Sequence, residues 1–165
     1  MTNQQLVTVI ISSFNHAPYI EESILSVVEQ TYPNVELLVI DDGSTDDSVA
    51  RIEALRAVHG FDFRVQKNKG LTRTLNEAIS RAKGEFVAPF GSDDIMLKDR
   101  LSIQMEYVAD KPEVGICGGN IELMPADGTP YPKSPRKKDP PFRRMDFEDV
   151  FLERKPYLPA PTMLI

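Results

Sequence analysis

The sequence predicts an α/β fold with a mostly parallel central sheet flanked by helices. Short apolar runs rich in β-branched residues alternate along the chain with segments of helical periodicity. The apolar runs are continuous, which is typical of strands that are covered on both faces. Strands that alternate with helices are joined by right-handed crossovers, and such connections make a sheet mainly parallel.

The first strand–helix unit spans residues 7–28. Residues 7–11 form a buried-strand pattern that ends at Ser12 and Ser13. Pro18 is placed to start a helix. Apolar residues then recur at helical spacing from Ile20 to Val28, which predicts a helix with one buried face.

Two more units follow in the same order. Residues 35–40 form a second buried-strand pattern, and Ser44 with Asp47 makes a capping-box pattern for the next helix. A short strand is predicted over residues 61–65, with a polar loop after it. The helix beyond that loop has a predicted apolar face made of Leu71, Leu75, Ala78, Ile79 and Ala82.

The last units bring a change in composition. Residues 86–90 predict a fourth strand, a helix follows around Leu101 to Val108, and residues 114–121 predict a further strand. Nine of the 13 prolines lie from Pro125 onward. We therefore divide the chain into 1–124 and 125–165, with a long loop over 125–145 and a short helix near 146–153.

Composition excludes several classes of protein. The net charge of −6 argues against a nucleic-acid partner. Cys117 is the single cysteine, so no internal disulfide is possible, and its apolar surroundings predict a core position. No apolar run approaches the ~20 residues that cross a bilayer. The polar start lacks the features of a signal peptide, so we expect a cytoplasmic protein.

Polar groups follow three of the predicted strands. They are residues 12–15, the pair Asp41 and Asp42, and the stretch from Ser92 to Asp94. In open α/β sheets, ligands bind beyond the carboxyl ends of the strands. Adjacent carboxylates repel each other, and Mg²⁺ or Mn²⁺ offsets that repulsion with one or two carboxylates plus substrate phosphates as ligands. We therefore predict that Asp93 and Asp94 form half of a metal site that a diphosphate completes.

Each of these features also has a purely structural interpretation. Residues 41–43 fit a turn with helix-terminal charges, and residues 92–94 fit a helix cap. Residues 67–70 are typical of a solvated turn. His16 and His59 show no metal-ligand spacing and are interpreted as incidental. Two acid pairs at matching strand ends nevertheless favour the functional interpretation.

Two blocks of sequence resemble the glycosyltransferase family-two enzymes of the GT-A fold. The first is VTVIISSFNHAPYIEESILSVVEQTYPNVELLVIDDGSTDDS, with the family's strand, Tyr/Phe-Asn turn, Gln-Thr-Tyr-Pro and Asp-Asp-Gly-Ser-Thr-Asp. The second is NKGLTRTLNEAISRAKGEFVAPFGSDD, with Asn-x-Gly, Ala-Lys-Gly-Glu and a strand that ends in Ser-Asp-Asp. The match covers most of residues 7–110.

The resemblance implies transfer of a sugar from a nucleotide-diphosphate donor to an acceptor hydroxyl, with inversion at the anomeric carbon. It implies a Rossmann-like, nucleotide-diphospho-sugar-binding fold, and a UDP-sugar is the expected donor. The expected acceptor is a saccharide or a lipid-linked saccharide, in polysaccharide or glycoconjugate synthesis. The full-length enzyme would then work in the cytoplasm, with peripheral association at the inner face of the membrane.

The resemblance also implies roles for individual residues. Ser12 and Phe14 fall where the family contacts the nucleotide base, and Asp42, with Asp41 beside it, falls at the acid that binds uracil or ribose. Asp94 falls at the metal-binding acid of the family's DxD element, and Asp93 at its ribose-side neighbour. With Asn15 and Gly70 from the shared motifs, the nucleotide-binding set is Ser12, Phe14, Asn15, Asp41, Asp42, Gly70 and Asp93. The metal set for Mn²⁺ or Mg²⁺ is Asp94 and Asp93.

Two departures from the family pattern modify this expectation. Gly91 stands where the family often has the first acid of Asp-Ser-Asp-Asp. The family's general base, a carboxylate, is expected beyond Ile165. Residues 1–124 are thus interpreted as a nucleotide-sugar-binding domain and 125–165 as the start of an acceptor-binding region. We expect an N-terminal piece that binds donor without its general base.

Other functions remain open at this point. A non-catalytic nucleotide-binding module is possible because the general base is missing. A Mg-dependent receiver-like module would need its acid pair directly after the first strand. A pyrophosphorylase or a dehydrogenase would need a glycine-rich loop there, and residues 12–15 contain no glycine.

Overall fold

The computed structural model describes residues 5–125, 128–129, 145–146, 148–149 and 162–165. Strands and helices alternate in the order that the sequence predicts. The elements are β1 (Val7–Ser13), α1 (Ile20–Val28), β2 (Val35–Asp41), α2 (Ser48–His59), β3 (Asp62–Val65), α3 (Leu71–Ile79), β4 (Phe86–Gly91) and α4 (Arg100–Val108). Three of these helices have nine residues and α2 has twelve.

The four strands form one parallel sheet in the order β3-β2-β1-β4. β1 lies between β2 and β4, so its last residues have neighbours on both sides. Ser13 pairs with Asp41 of β2, and Ser12 pairs with Gly91 of β4. The carboxyl ends of the three strands therefore meet at one edge of the sheet. We call this edge the rim, and it consists of residues 12–17, 41–48 and 91–94.

The core explains why the strand patterns are continuously apolar. Val9 and Ile11 point into the larger cluster, which also contains Ile24 of α1 and Ile52 of α2. Ile10 points to the other face, into a smaller cluster with Ala78 of α3. All of these side chains are buried. Because helices cover both faces of β1, every position of that strand is apolar or carries a small polar side chain.

The predicted strand over residues 114–121 is wrong, apart from one residue. Cys117 forms an isolated antiparallel bridge with Leu164, and residues 114–121 otherwise have no strand pairing. Ile165 exchanges two backbone hydrogen bonds with Val87 at 2.8 and 2.9 Å. Ile165 thus pairs with the edge of β4 in the antiparallel sense, and its neighbour Leu164 pairs with Cys117. Cys117 is half-buried against the core.

The predicted capping box before α2 is also wrong. α2 begins at Ser48, and its N-cap residue Asp47 makes no side-chain capping bond. The Ser44 hydroxyl instead donates to the Asp41 carboxylate at 2.5 Å. Asp46 accepts from the Ser48 N–H at 3.0 Å and from its hydroxyl at 2.6 Å. These polar side chains therefore form hydrogen bonds within the rim. Turns at strand ends compete with helix caps for such side chains.

The predicted apolar face of α3 is only partly correct. Leu71 is 61% exposed and Ile79 is 42% exposed, whereas Thr74 and Ala78 are buried. Thr74 is buried because its hydroxyl accepts a hydrogen bond from Gln66 at 2.7 Å. Periodicity alone does not distinguish such a satisfied hydroxyl from a solvent-facing one.

The predicted second region lies mostly outside the described residues. The loop over 125–145 and the helix near 146–153 are therefore not tested by the structure. In the described ranges, no helix is both long enough and apolar enough to cross a membrane.

Candidate functional site

The loop after β1 is joined to the loop after β2 by five hydrogen bonds between residues 14–17 and residues 44–48. Asn15 is central to them, since its Oδ1 accepts the Thr45 N–H at 2.8 Å and its N–H donates to Ser44 Oγ at 2.8 Å. Asn15 has a φ of +55°, a left-handed conformation that asparagine tolerates better than most residues. Its contact with a nucleotide stays a prediction. Phe14 beside it is 46% exposed, and Ser12 is half-buried.

Asp41 closes the turn after β2. It is completely buried, and its carboxylate accepts the Gly43 N–H at 3.1 Å and the Ser44 N–H at 2.8 Å. Gly43 has a φ of +85°, and a Cβ there would lie 2.9 Å from the Asn68 nitrogen. The structure thus agrees with the structural interpretation of residues 41–43, in which the Asp41 carboxylate stabilises the turn after β2. Direct contact with a nucleotide stays a prediction for this residue.

Asp42 anchors the loop of residues 66–70. Its carboxylate accepts the Gln66 amide N–H at 2.8 Å and the N–H groups of Lys69 and Gly70, each at 2.9 Å. Burial opposes ionisation of Asp42, but these hydrogen bonds outweigh it and lower its pKa. Gly70 has φ 83° and ψ 154°, a region that essentially only glycine occupies. Asp42 is thus an ionised side chain that is only 3% exposed, and it binds the loop of residues 66–70 to the rim.

The acid turn, residues 91–94, follows β4. Asp93 is exposed and Asp94 is half-buried. A Cβ built on Gly91 would collide with the Asp94 carboxylate and would lie 3.1 Å from Asp93 Oδ1. Both carboxylates therefore lie close to the Cα of Gly91, in space that a side chain at this position would occupy. Burial and then the neighbouring Asp93 raise the pKa of Asp94, while Arg100 acts in the opposite direction.

The donor atoms of the acid turn fit Mg²⁺ or Mn²⁺. Two adjacent carboxylates supply hard oxygen ligands, and a cation would offset the repulsion that raises the pKa of Asp94. Within the described ranges, no three His, Cys, Asp or Glu side chains gather in a way that could hold a metal ion. An ion here would thus take its remaining ligands from water and from substrate phosphates, as Mg²⁺ commonly does.

Gln30 of the loop after α1 positions the segment that follows the acid turn. Its amide nitrogen donates to the Leu97 carbonyl at 2.9 Å and to the Ser26 carbonyl at 3.1 Å. Its amide oxygen accepts the Leu101 N–H at 3.1 Å, at the start of α4. Thr31 adds a hydrogen bond from its N–H to the Lys98 carbonyl at 3.0 Å. The Gln-Thr pair was visible in the sequence as part of the resemblance, but its partner segment was not.

Arg100 of α4 is a second residue that sequence reasoning missed. Its guanidinium donates to the Met163 carbonyl at 3.1 Å and to Gln104 Oε1 at 3.0 Å, and it lies 5.7 Å from the centre of the Phe90 ring. Burial lowers the pKa of Arg100 to about 10, so it remains a cation at neutral pH. It therefore places a fixed positive charge between Asp94 and the segment 162–165.

His16 makes a side-chain contact that the spacing of the histidines did not predict. Its ring Nδ1 lies 2.6 Å from Ser92 Oγ, so it joins the loop after β1 to the acid turn. Ser92 is buried, and its hydroxyl faces the rim rather than capping a helix. His59, by contrast, is exposed at the last position of α2, away from the rim.

Comparisons with known proteins identify the family of this chain. The family model described as "Glycosyl transferase family 2" matches residues 8–155. This chain belongs to glycosyl transferase family 2. The match includes the strand ends, the rim and the acid turn described above.

Two relatives of this family-2 chain are bacterial proteins named as glycosyltransferases. It is 35% identical over 139 residues to TuaG of Bacillus subtilis, named a putative teichuronic acid biosynthesis glycosyltransferase; the match covers 81% of this chain and 54% of TuaG. It is 34% identical over 124 residues to WfgD of Escherichia coli, named a UDP-Glc:alpha-D-GlcNAc-diphosphoundecaprenol beta-1,3-glucosyltransferase; this match covers 72% of the chain and 47% of WfgD. The chain thus spans about half of the length of these relatives.

Solved structures identify the fold as GT-A. The mannosyltransferase PcManGT of Pyrobaculum calidifontis, in complex with GDP-Man and Mn²⁺, is 31% identical, with a TM-score of 0.64 over 71% of this chain and 36% of that protein. TarS 1-349 of S. aureus, in complex with UDP-GlcNAc, is 27% identical, with a TM-score of 0.61 over 78% of this chain and 37% of that protein. The predicted parallel sheet flanked by helices is confirmed.

Proposed function

We propose that the rim binds a nucleoside-diphosphate sugar, with UDP as the nucleotide. The single observation that carries the proposal is the convergence of three strand ends. β1 ends at Ser12 and Ser13 directly between Asp41 of β2 and Gly91 of β4. Neighbouring strands are about 4.8 Å apart, so the groups after β2 and β4 are about 10 Å apart, within the span of one nucleotide diphosphate.

The two sides of the rim suit the two ends of such a ligand. On the β2 side, the exposed ring of Phe14 offers a surface for a base, and Ser12 offers a hydroxyl. Asp42 holds the loop of residues 66–70 beside them and would bind base or ribose through its remaining lone pairs. On the β4 side, Asp93 and Asp94 offer carboxylates where a diphosphate would lie.

The acid turn would hold Mn²⁺ or Mg²⁺ through Asp94, with Asp93 beside it. When bound, such a cation supplies the positive charge that stabilises a departing diphosphate. The chain's own residues orient the two carboxylates: Gly91 leaves them space, and Gln30 fixes the segment that follows. PcManGT, with Mn²⁺ and GDP-Man in its complex, supports this assignment by similarity.

We further propose that the protein containing this chain is an inverting glycosyltransferase of polysaccharide or glycoconjugate synthesis. Its acceptor would be a saccharide hydroxyl, on a lipid carrier at the inner face of the membrane, and the protein would be cytoplasmic. The name of WfgD, which specifies a diphosphoundecaprenol-linked acceptor, supports this class. The general base of the transfer would be a carboxylate, as the family resemblance implies, and we assign that role to none of the described residues. General-base catalysis typically contributes ~10²- to 10⁴-fold.

The test is calorimetric titration of this chain with UDP, GDP and their sugar conjugates, with and without Mn²⁺. We expect UDP compounds to bind and Mn²⁺ to tighten the binding. Asp94→Asn should remove the part of the affinity that depends on Mn²⁺. Asp110→Asn is the matched control, because Asp110 is exposed beside Lys111 and lies outside the rim.

Three outcomes separate the alternatives. Binding of UDP that Asp94→Asn makes independent of Mn²⁺ supports the proposal. Binding that is independent of Mn²⁺ in the wild type favours a non-catalytic nucleotide-binding module instead. No binding of any nucleoside diphosphate at millimolar concentration would contradict donor binding altogether.

A further inference from the structure

His16 lies where three parts of the rim meet. Its N–H donates to Ser48 Oγ at 3.1 Å, beside the loop after β2. Its carbonyl accepts the N–H groups of Tyr19 and Ile20 at 2.9 and 3.0 Å, where α1 begins. Its ring Nδ1 lies 2.6 Å from Ser92 Oγ in the acid turn. The backbone of His16 therefore contacts the part of the rim where the nucleobase is proposed to bind, which we call the base side. Its side chain reaches the acid turn, which we call the acid side.

The contact with Ser92 is well placed to transmit a displacement. Ser92 is buried and immediately precedes Asp93 and Asp94. The His16 ring also makes an edge-on contact with the Tyr19 ring, at a centroid distance of 6.1 Å. The ring therefore has a partner both in the acid turn and in its own loop. These two contacts connect the loop after β1 to the acid turn.

We propose that His16 is a positioning residue that couples nucleotide binding on the base side of the rim to cation binding on the acid side. The proposal rests on the proposed function, because it concerns the same nucleotide and cation. In this scheme the base fixes the loop of residues 14–17, and the Nδ1–Ser92 contact then holds Asp93 and Asp94 where the cation needs them. By linkage, the cation must tighten nucleotide binding by the same factor by which the nucleotide tightens cation binding.

The test compares three substitutions that preserve different parts of the imidazole. His16→Asn places an amide near Nδ1, His16→Gln places one near Nε2, and His16→Phe keeps the ring shape without either nitrogen. For each variant, calorimetry measures the factor by which saturating Mn²⁺ tightens binding of UDP, and of GDP in parallel. His59→Phe is the matched control, because His59 is exposed and distant from the rim.

We expect the Mn²⁺ factor to fall about five- to tenfold in His16→Phe and His16→Gln, at the lower end of typical couplings between sites. His16→Asn and His59→Phe should keep the wild-type factor. Affinity for UDP without Mn²⁺ should fall by a smaller factor than the affinity with Mn²⁺ in His16→Phe and His16→Gln, because His16 acts on the cation ligands through Ser92. A merely structural role for His16 would weaken both affinities together and would not be rescued by asparagine.

A double-mutant cycle makes a second, nucleotide-independent measurement. His16→Phe and Ser92→Ala are combined, and denaturant unfolding gives the stability of each variant. Non-additive effects support the contact, and additive effects overturn the inference whatever the nucleotide does. A wild-type Mn²⁺ factor that persists in His16→Phe overturns the inference alone. If Mn²⁺ does not change the nucleotide affinity of the wild-type protein, both the inference and the cation part of the proposed function are overturned.

Discussion

Gly84, in the turn before β4, allows a large effect to be predicted from geometry. A Cβ at this position would lie 2.6 Å from the Thr8 nitrogen, 2.7 Å from the Leu6 carbonyl oxygen and 2.8 Å from the Phe86 carbonyl oxygen. All three are backbone atoms at the start of β1 and β4, so no side-chain rotation relieves the contact. The strands would have to separate by roughly 0.7–0.9 Å to restore ordinary van der Waals distances.

Gly84→Ala should therefore lower the free energy of unfolding by about 3 kcal/mol, the upper part of the range for overpacked cores. In a chain of this size, that corresponds to a fall in Tm of about 6–12 °C. Urea denaturation and calorimetry measure both quantities. The matched control is Gly115→Ala, since a methyl group on Gly115 would meet no atom within 4 Å and the residue has no left-handed φ.

Gly115→Ala should change stability by less than about 0.5 kcal/mol. If Gly84→Ala lies within that margin of Gly115→Ala, the close packing of this turn against β1 is refuted. The Lys-Gly-Glu part of the family resemblance would then need another explanation.

Three other substitutions test the rim and the segment that follows the acid turn. Gly91→Ala should push the Asp94 carboxylate aside and weaken the Mn²⁺-dependent part of UDP binding about tenfold in calorimetry; undiminished Mn²⁺ dependence would contradict it. Asp42→Asn should cost about 2–4 kcal/mol at pH 7. The pKa of Asp42 is lower in the folded protein than its ordinary value of 3.8. The stability that Asp42 contributes is therefore present above pH 3.8 and is lost as the pH falls through the pKa of the folded state. Unfolding curves measured at decreasing pH should thus converge for the variant and the wild type. Gln30→Met should cost about 1–3 kcal/mol and speed hydrogen exchange at Leu101, because it removes the Oε1 that accepts the Leu101 N–H; unaltered exchange would disprove its anchoring role.

Much of the fold was predictable because burial on both faces of a strand leaves a strong sequence signal. β1, β2 and β4 each lie within one or two residues of their predicted bounds, since their apolar runs end where the polar rim begins. The convergence of three polar groups at one edge followed from the parallel sheet. The predicted strand over 114–121 failed because strand pairing depends on a partner: only Cys117 pairs, with Leu164, while the neighbouring Ile165 pairs with Val87 of β4.

The site was less predictable than the fold, because hydrogen-bond partners come from distant parts of the sequence. Ser44 satisfies a helix-capping pattern, yet its hydroxyl donates to Asp41. His16 has no metal-ligand spacing, yet its ring contacts Ser92, which lies 76 residues further along the chain. Residue types and spacing do not encode such contacts; the packing of the two loops at the sheet edge creates them.

The five hydrogen bonds between residues 14–17 and 44–48 have a consequence for the thermodynamics of ligand capture. Most of their order is established during folding, so an incoming nucleotide meets loops that have already lost much of their conformational freedom and fixes only what remains. The entropy that a fully flexible loop would surrender on association is correspondingly reduced in the binding equilibrium. Preorganisation of this kind favours recognition of a base by shape, with little rearrangement of the backbone around it.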